Sequence, residues 1–323
     1  MDHPDWPGLQ RYLRAVWDEP ALELVGTPYE PGGGYSRTIW SLELASSKWP
    51  ASRTYQVRCS DAVGSELTPE IDRLRWLVDR GYPVSRPICS VRDASVIGRP
   101  FAMLEWVAGP SLAEIVQAMG WGRDGLHART IGNLLARLHA IPSSGFPVQM
   151  NLSHQMPGFD RISGLLDVNC TGLLKELIGT YRTQPSSDVV CHLDLHPRNI
   201  IMASDGAHVI DWEKAARAHP LADIAMAQIH TEIAIALGEY PVPDESLIFG
   251  DLLIEGYLRS RSIDCRDLGF FRLLAACQRL GDVAGALQRP VLLDGDRAEL
   301  HAEGGAAIAI IDREIDQSGI SKS

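Results

Sequence analysis

Residues 189–212 read VVCHLDLHPRNIIMASDGAHVIDW, and the alternation of apolar runs and polar breaks in this stretch decides the fold. Val189-Val190-Cys191 is a short run of β-formers. A charged loop follows, and Pro197 argues against an extended strand there. Ile200-Ile201-Met202 resumes the apolar character, Asp205-Gly206 supplies a turn, and Val209-Ile210 runs back. The pattern predicts a loop followed by a hairpin. The polar residues left at its ends are His192, Asp194, Asn199 and Asp211.

These residue types suit transfer of a γ-phosphoryl group, which needs positioning and charge neutralisation more than covalent help. Asp194 can orient or deprotonate an attacking hydroxyl. Asn199 and Asp211 offer the hard oxygen atoms that Mg²⁺ takes alongside water and phosphate. The spacing is that of a kinase catalytic loop, His-x-Asp-Leu-x-x-x-Asn, with a metal-binding Asp beyond it. A rival reading starts from the alternation of His192, Asp194 and His196. On a strand they would share one face and could hold zinc or iron, although Asn199 and Asp211 would then have no role. Ordinary loop polars are a third reading. His192 is expected to shape the loop by hydrogen bonding.

Together with PLADIA at residues 220–225, the run HLDLHPRNII…VIDW resembles the aminoglycoside phosphotransferase and choline kinase-like family of small-molecule kinases. The resemblance spans about residues 20–230. It implies an α+β, protein-kinase-like fold of two lobes with a nucleotide between them. Residues 1–109 would form a small antiparallel-sheet lobe with the hinge, and residues 110–323 a mostly helical lobe with the catalytic loop and acceptor pocket. It further implies ATP or GTP as donor, Mg²⁺ as cofactor and the hydroxyl of a small molecule as acceptor. Asp194 would be catalytic, and Asn199 and Asp211 would hold the metal.

The N-terminal part supplies further matches. Strands are predicted at residues 22–25, 38–44, 54–59, 88–91 and 101–106. The strand Thr54–Cys59 carries Arg58 where the family places a Lys or Arg for the α/β-phosphates; arginine stays charged and can clamp phosphate through two nitrogens. Gln56 departs from the family, which has an apolar roof over adenine there, so the nucleotide preference stays open. The run EIDRLRWLVDRGYPVSRP resembles the family's helix C. Its Ile71, Leu74, Leu77 and Val78 have helical spacing, Pro69 suits a first turn, and Gly81 and Pro83 end it. Glu70 is then the partner of Arg58; otherwise it is an acidic residue suited to a helix start. Glu105-Trp106-Val107-Ala108-Gly109 reads as the hinge, with the Glu105 C=O and the Val107 N–H meeting a purine edge. Between the first two strands, Gly33, Gly34 and Ser36 lie in a glycine-rich turn that can approach phosphates; a plain hairpin turn is the alternative. No Gly-Lys-Ser/Thr follows, so this is not a P-loop.

Elsewhere the chain reads as helical. Leu9, Leu13, Val16 and Trp17 mark an N-terminal helix, and Ile131, Leu134, Leu135 and Leu138 another, which resembles the family helix that buttresses the catalytic loop. His139 reads as structural, and Asp223 as capping or bracing a helix start. Periodic segments cover residues 224–237, 247–257, 268–280 and 306–315. Glu213, Glu232, Glu239 and Asp282 could line an acceptor groove or simply be solvated.

Composition narrows the partners. The chain of 323 residues is long enough for two lobes and a sizeable core. A net charge of −11 argues against a nucleic-acid partner and mildly suits a cationic acceptor. The six cysteines form no Cys-x-x-Cys pair, which suits a reducing, cytoplasmic setting. The N-terminus does not read as a signal peptide, and no apolar run reaches membrane-spanning length. The acceptor could be an aminoglycoside or another antibiotic, making a resistance enzyme, or an amino alcohol or sugar of metabolism. A nucleotide-binding protein without turnover is the alternative of another class, which the joint presence of Asp194, Asn199 and Asp211 disfavours.

Overall fold

The computed structural model describes residues 3–31, 38–59, 67–147, 188–242, 248–288 and 294–317. The chain divides into two compact units, Met1–Gly109 with Ala203–Glu213, and Pro110–Met202 with Lys214–Ser323.

The first unit is built on a five-stranded antiparallel sheet in the order β1-β2-β3-β5-β4. Its strands are β1 (Glu23–Tyr29), β2 (Thr38–Ala45), β3 (Arg53–Cys59), β4 (Pro87–Val91) and β5 (Phe101–Glu105). Side chains alternate across a strand, and β3 uses both faces. Tyr55, Val57 and Cys59 join a core with Leu9, Leu13, Trp40, Leu42, Phe101 and Met103. Gln56 and Arg58 occupy the other face, opposite Ser41 and Leu104 and opposite Ile39 and Ala102 in the register.

Helix α1 (Trp6–Val16) covers the core face, capped by Asp5, whose side chain accepts the Gly8 N–H. Gly8 is needed for close approach: a Cβ there would lie 2.1 Å from the Val96 carbonyl oxygen. Leu9 and Leu13 are buried as their spacing predicts, but Val16 is 56% exposed. It is the last residue of the helix, where the buried stripe has already run out. Helix α2 (Thr68–Val78) carries Pro69 in its first turn, and Gly81 adopts a left-handed φ of 69° just beyond its end. Residues 203–213 are pinned to this unit. The Val209 N–H donates to the Pro83 carbonyl, the buried Trp212 meets Tyr82 edge-on, and Arg73 donates to the carbonyls of Trp212 and Glu213.

The second unit is mainly helical: α3 (Leu112–Met119), α4 (Leu126–His139), α5 (Pro220–Ala236), α6 (Phe249–Leu258), α7 (Leu268–Leu287) and α8 (Asp294–Gln317). Ser111 and Glu114 form a reciprocal capping box on α3. Helices α4 and α6 pack backbone to backbone through two glycines. A Cβ on Gly132 would lie 2.0 Å from the Leu253 carbonyl oxygen, and one on Gly256 2.2 Å from that of Arg129. The short strand β6 (Val189–Cys191) pairs with β9 (Ala216–Ala218), a strand of three residues too short to leave a periodic pattern. Strands β7 (Ile200–Ala203) and β8 (Gly206–Val209), the latter counted with the first unit, are the predicted hairpin. Among the described residues, no helix is long and apolar enough to cross a membrane.

Candidate active site

The loop from His192 to Asn199 is held from below by the first turn of α5. Buried Asp223 accepts the backbone N–H groups of His192 and Leu193, each at 2.7 Å. Its carboxylate also lies 3.2 Å from His139 Nε2, and His139 Nδ1 lies 3.0 Å from the Tyr257 hydroxyl. His139 is therefore structural, and Asp223 braces the loop, whereas the helix start is capped by His219, whose side chain accepts the Leu221 N–H. Inside the loop, the Asp194 N–H donates to His192 Nδ1 at 3.2 Å, which is the shaping role expected of His192.

Asp194 and Asn199 are brought together. Asn199 Nδ2 donates to the Asp194 carbonyl oxygen at 2.9 Å, which leaves Asn199 Oδ1 as the free acceptor end of the amide. This is a hard oxygen donor of the kind Mg²⁺ takes. Asp194 Oδ1 lies 3.4 Å from His230 Nε2 and 3.4 Å from Lys214 Nζ, and Lys214 also reaches Asp282 at 3.0 Å. Burial raises the Asp194 pKa, but the opposing influence of His230, Lys214, His196 and His192 outweighs it. The carboxyl is held well below the usual carboxylate range and is ionised at neutral pH. Burial pushes His196 down to about 4, against the attraction of Asp194, and pushes His230 well below its ordinary value. Both imidazoles are neutral at pH 7, and their rings stack 5.2 Å apart.

The zinc or iron reading fails in its original form. His192, Asp194 and His196 lie on a loop that ends in a 3-10 turn, not on a strand. The group that does converge is Asp194, His196 and His230. There the Lys214 ammonium already sits on the same Asp194 oxygen, so a cation would have to displace it. A second converging group, His139, Cys191 and Asp223, is occupied internally. Burial and the nearby Asp223 raise the Cys191 thiol, which keeps it protonated and a poor ligand.

In the first unit, Arg58 pairs with Glu70, and both are buried. Burial opposes the charge on Arg58, but Glu70, Asp211 and Glu213 outweigh it, so the guanidinium stays charged. Asp211, half-buried, holds a left-handed φ of 64°. Such conformations concentrate at functional sites when the surroundings hold them in place, as the Trp212 contacts do here. The Glu105 carbonyl, expected to face a purine, accepts a hydrogen bond from Ser85 Oγ at 2.5 Å. Val107 is half-buried. Gly33, Gly34 and Ser36 lie outside the described residues.

Comparison with known proteins settles the family. The model of the phosphotransferase enzyme family matches residues 34–242. The chain belongs to the phosphotransferase enzyme family.

This phosphotransferase is 27% identical over 228 residues to an aminoglycoside 3'-phosphotransferase of Streptomyces fradiae, covering 65% of the chain and 78% of the relative. It is 28% identical over 251 residues to a homoserine kinase of Caulobacter sp. strain K31, covering 68% and 72%. Among solved structures it is similar to an amicoumacin kinase in complex with AMP-PNP, Ca²⁺ and Ami. That match has a TM-score of 0.63 and 15% identity, over 94% of this chain and 93% of the other, and shows the kinase-like α+β fold. The phosphotransferase is an enzyme acting on the alcohol group of a small molecule. Sequence reading missed Lys214 and His230 at Asp194. Lys214 carried a signal, being one of four lysines in the chain and standing three residues after Asp211; His230 carried none, since α5 is apolar nearly all round.

Proposed function

We propose that the protein transfers the γ-phosphoryl group of ATP or GTP, with Mg²⁺, to a hydroxyl of a small molecule. The observation that carries this reading is the loop in which Asp194 stays ionised while Asn199 is tied to the Asp194 backbone. Asp194 accepts the hydrogen bond of the acceptor hydroxyl and aims its oxygen at the γ-phosphorus. Because its pKa is depressed, it is a weak base. It orients first and takes the proton late, as the new O–P bond forms, which suits a loose transition state. Lys214 holds the carboxylate in place. Arg58, oriented by Glu70, grips the phosphates of the nucleotide. Asn199 and Asp211 are the metal ligands in this reading, and Mg²⁺ when bound would neutralise charge on the phosphate oxygens. Gly33, Gly34 and Ser36 would cover the phosphates, and Glu105 and Val107 would meet the base. Residues 1–109 would serve the nucleotide and residues 110–323 the acceptor.

One relative is an aminoglycoside phosphotransferase and another a homoserine kinase, so an antibiotic and a small metabolite are the acceptor classes in question. Three carboxylates that could have lined a groove for a polycation carry cationic partners. Glu232 pairs with Arg272 and Arg313, Glu239 with Arg198, and Asp282 with Lys214. This favours an acceptor of low charge, such as an amino alcohol or a hydroxy amino acid. Nucleoside diphosphate release over a panel of homoserine, choline-like amino alcohols, sugars, aminoglycosides and macrolides tests the choice. Stimulation by aminoglycosides alone would reverse it.

A further inference from the structure

A residue that fits the family pattern and one that departs from it stand on one face of one strand. Position 58 carries arginine, and position 56, two residues earlier on β3, carries glutamine where an apolar side chain is expected. The structure connects them. Arg58 Nε donates to Gln56 Oε1 at 3.2 Å, and Arg58 Nη1 pairs with Glu70 Oε1. Gln56 Nε2 donates in turn to Ser85 Oγ at 3.1 Å, and Ser85 Oγ donates to the Glu105 carbonyl at 2.5 Å. Gln56, Arg58, Glu70 and Ser85 are all buried. Every bond in this chain runs in one direction, from the guanidinium to the Glu105 carbonyl.

A buried amide is unfavourable unless its polar ends are met, and here both ends are. A lysine at position 58 would present one compact ammonium, which a single carboxylate can hold. A guanidinium is a planar fork, and one contact leaves it free to swing about that contact. Glu70 and Gln56 bind two different nitrogens, Nη1 and Nε, and so fix the plane. Nη2 is left to a phosphate. Ser85, anchored on the Glu105 carbonyl, keeps the Gln56 amide from turning.

We infer that Gln56 is a positioning residue for Arg58, acting with Glu70 to aim the guanidinium at the nucleotide's phosphates. The arginine and the glutamine are then one device, and Gln56 serves the phosphates rather than the base. This rests on the assignment of Arg58 to nucleotide phosphates.

The test is calorimetric titration of ADP and adenosine, and of GDP and guanosine, with Mg²⁺, into wild type, Q56L, R58K and Q56L/R58K. Q56L is expected to weaken diphosphate binding about ten-fold, the scale of one charge-assisted hydrogen bond, while nucleoside binding changes less than about two-fold. With lysine at position 58, Q56L is expected to change diphosphate binding less than about two-fold, since the ammonium does not use the amide. S85A, which frees the amide, should weaken diphosphate binding in the same direction by about three-fold. Thermal unfolding checks each variant, and Q56M with S85A carries the same criterion if Q56L does not fold. Equal loss of nucleoside and diphosphate, or the same Q56L effect in the wild-type and R58K backgrounds, overturns the role of Gln56 alone. Wild type that binds neither ligand overturns the nucleotide reading and this inference with it.

Discussion

Leu193 holds a left-handed backbone at φ 62°, and Asp223 Oδ1 accepts its N–H at 2.7 Å. For a residue with a branched side chain this conformation is unfavourable by roughly 1–2 kcal/mol, and the neighbouring His192 N–H is held by the same carboxylate. The twist in the chain sets the direction in which Asp194 leaves the loop. Asp223→Ala would leave two buried N–H groups and His139 without their acceptor. We expect turnover to fall at least 100-fold and stability by about 3 kcal/mol, read by urea unfolding beside the activity assay. Full stability with full activity would remove Asp223 from the account.

The Arg58–Glu70 pair is buried on both sides. Removing one member of such a pair leaves an uncompensated charge, at about 3–5 kcal/mol. Glu70→Ala should therefore destabilise the protein by that order and weaken nucleotide binding. The isosteric Glu70→Gln should keep most of the stability and still raise the nucleotide KM. Equilibrium unfolding and nucleotide titration separate the two effects.

Buried His196 makes stability depend on pH. Its folded value of about 4 lies below the ordinary 6.5 because burial disfavours the charged ring more than Asp194 favours it. Between those two values the unfolded chain binds a proton that the folded chain refuses. Stability is thus fully present above about 6.5 and is lost as pH falls toward 4. His230 is shifted in the same direction. The unfolding temperature of the wild type should drop between pH 6.5 and 4.5 by about 2–4 °C more than that of His196→Gln. Equal slopes in calorimetry would contradict the shift.

The α4–α6 contact tolerates no side chain at Gly132, where a Cβ would lie 2.0 Å from the Leu253 carbonyl oxygen. The obstacle is backbone, so relief requires one helix to move. Gly132→Ala should destabilise by about 1–3 kcal/mol, measured by chemical unfolding. An unchanged midpoint would mean that the helices stand farther apart than described.

Periodicity and turn chemistry showed where elements lie, because they depend on neighbours in the chain. Helix α2, the hairpin after Asn199 and the α5 segment were all legible this way. The Arg58–Glu70 pair was legible only through family resemblance, since twelve positions separate its members and no local pattern links them. The relay from Gln56 through Ser85 to Glu105, and the approach of His230 to Asp194, were not legible at all. They depend on strand register and on which side of a nearly all-apolar helix faces the loop. The C-terminal end of α1 misled in the opposite sense, because Val16 continues the helical spacing beyond the surface that α1 covers.

The most direct test is Mg²⁺-dependent release of ADP from ATP, or GDP from GTP, over the acceptor panel, for wild type and Asp194→Asn. Removing the carboxylate's charge while keeping its shape should abolish orientation of the acceptor. We predict acceptor-stimulated release by wild type and a loss of at least 100-fold in the variant, with nucleotide binding retained. Acceptor-stimulated release that is undiminished in Asp194→Asn would contradict the account.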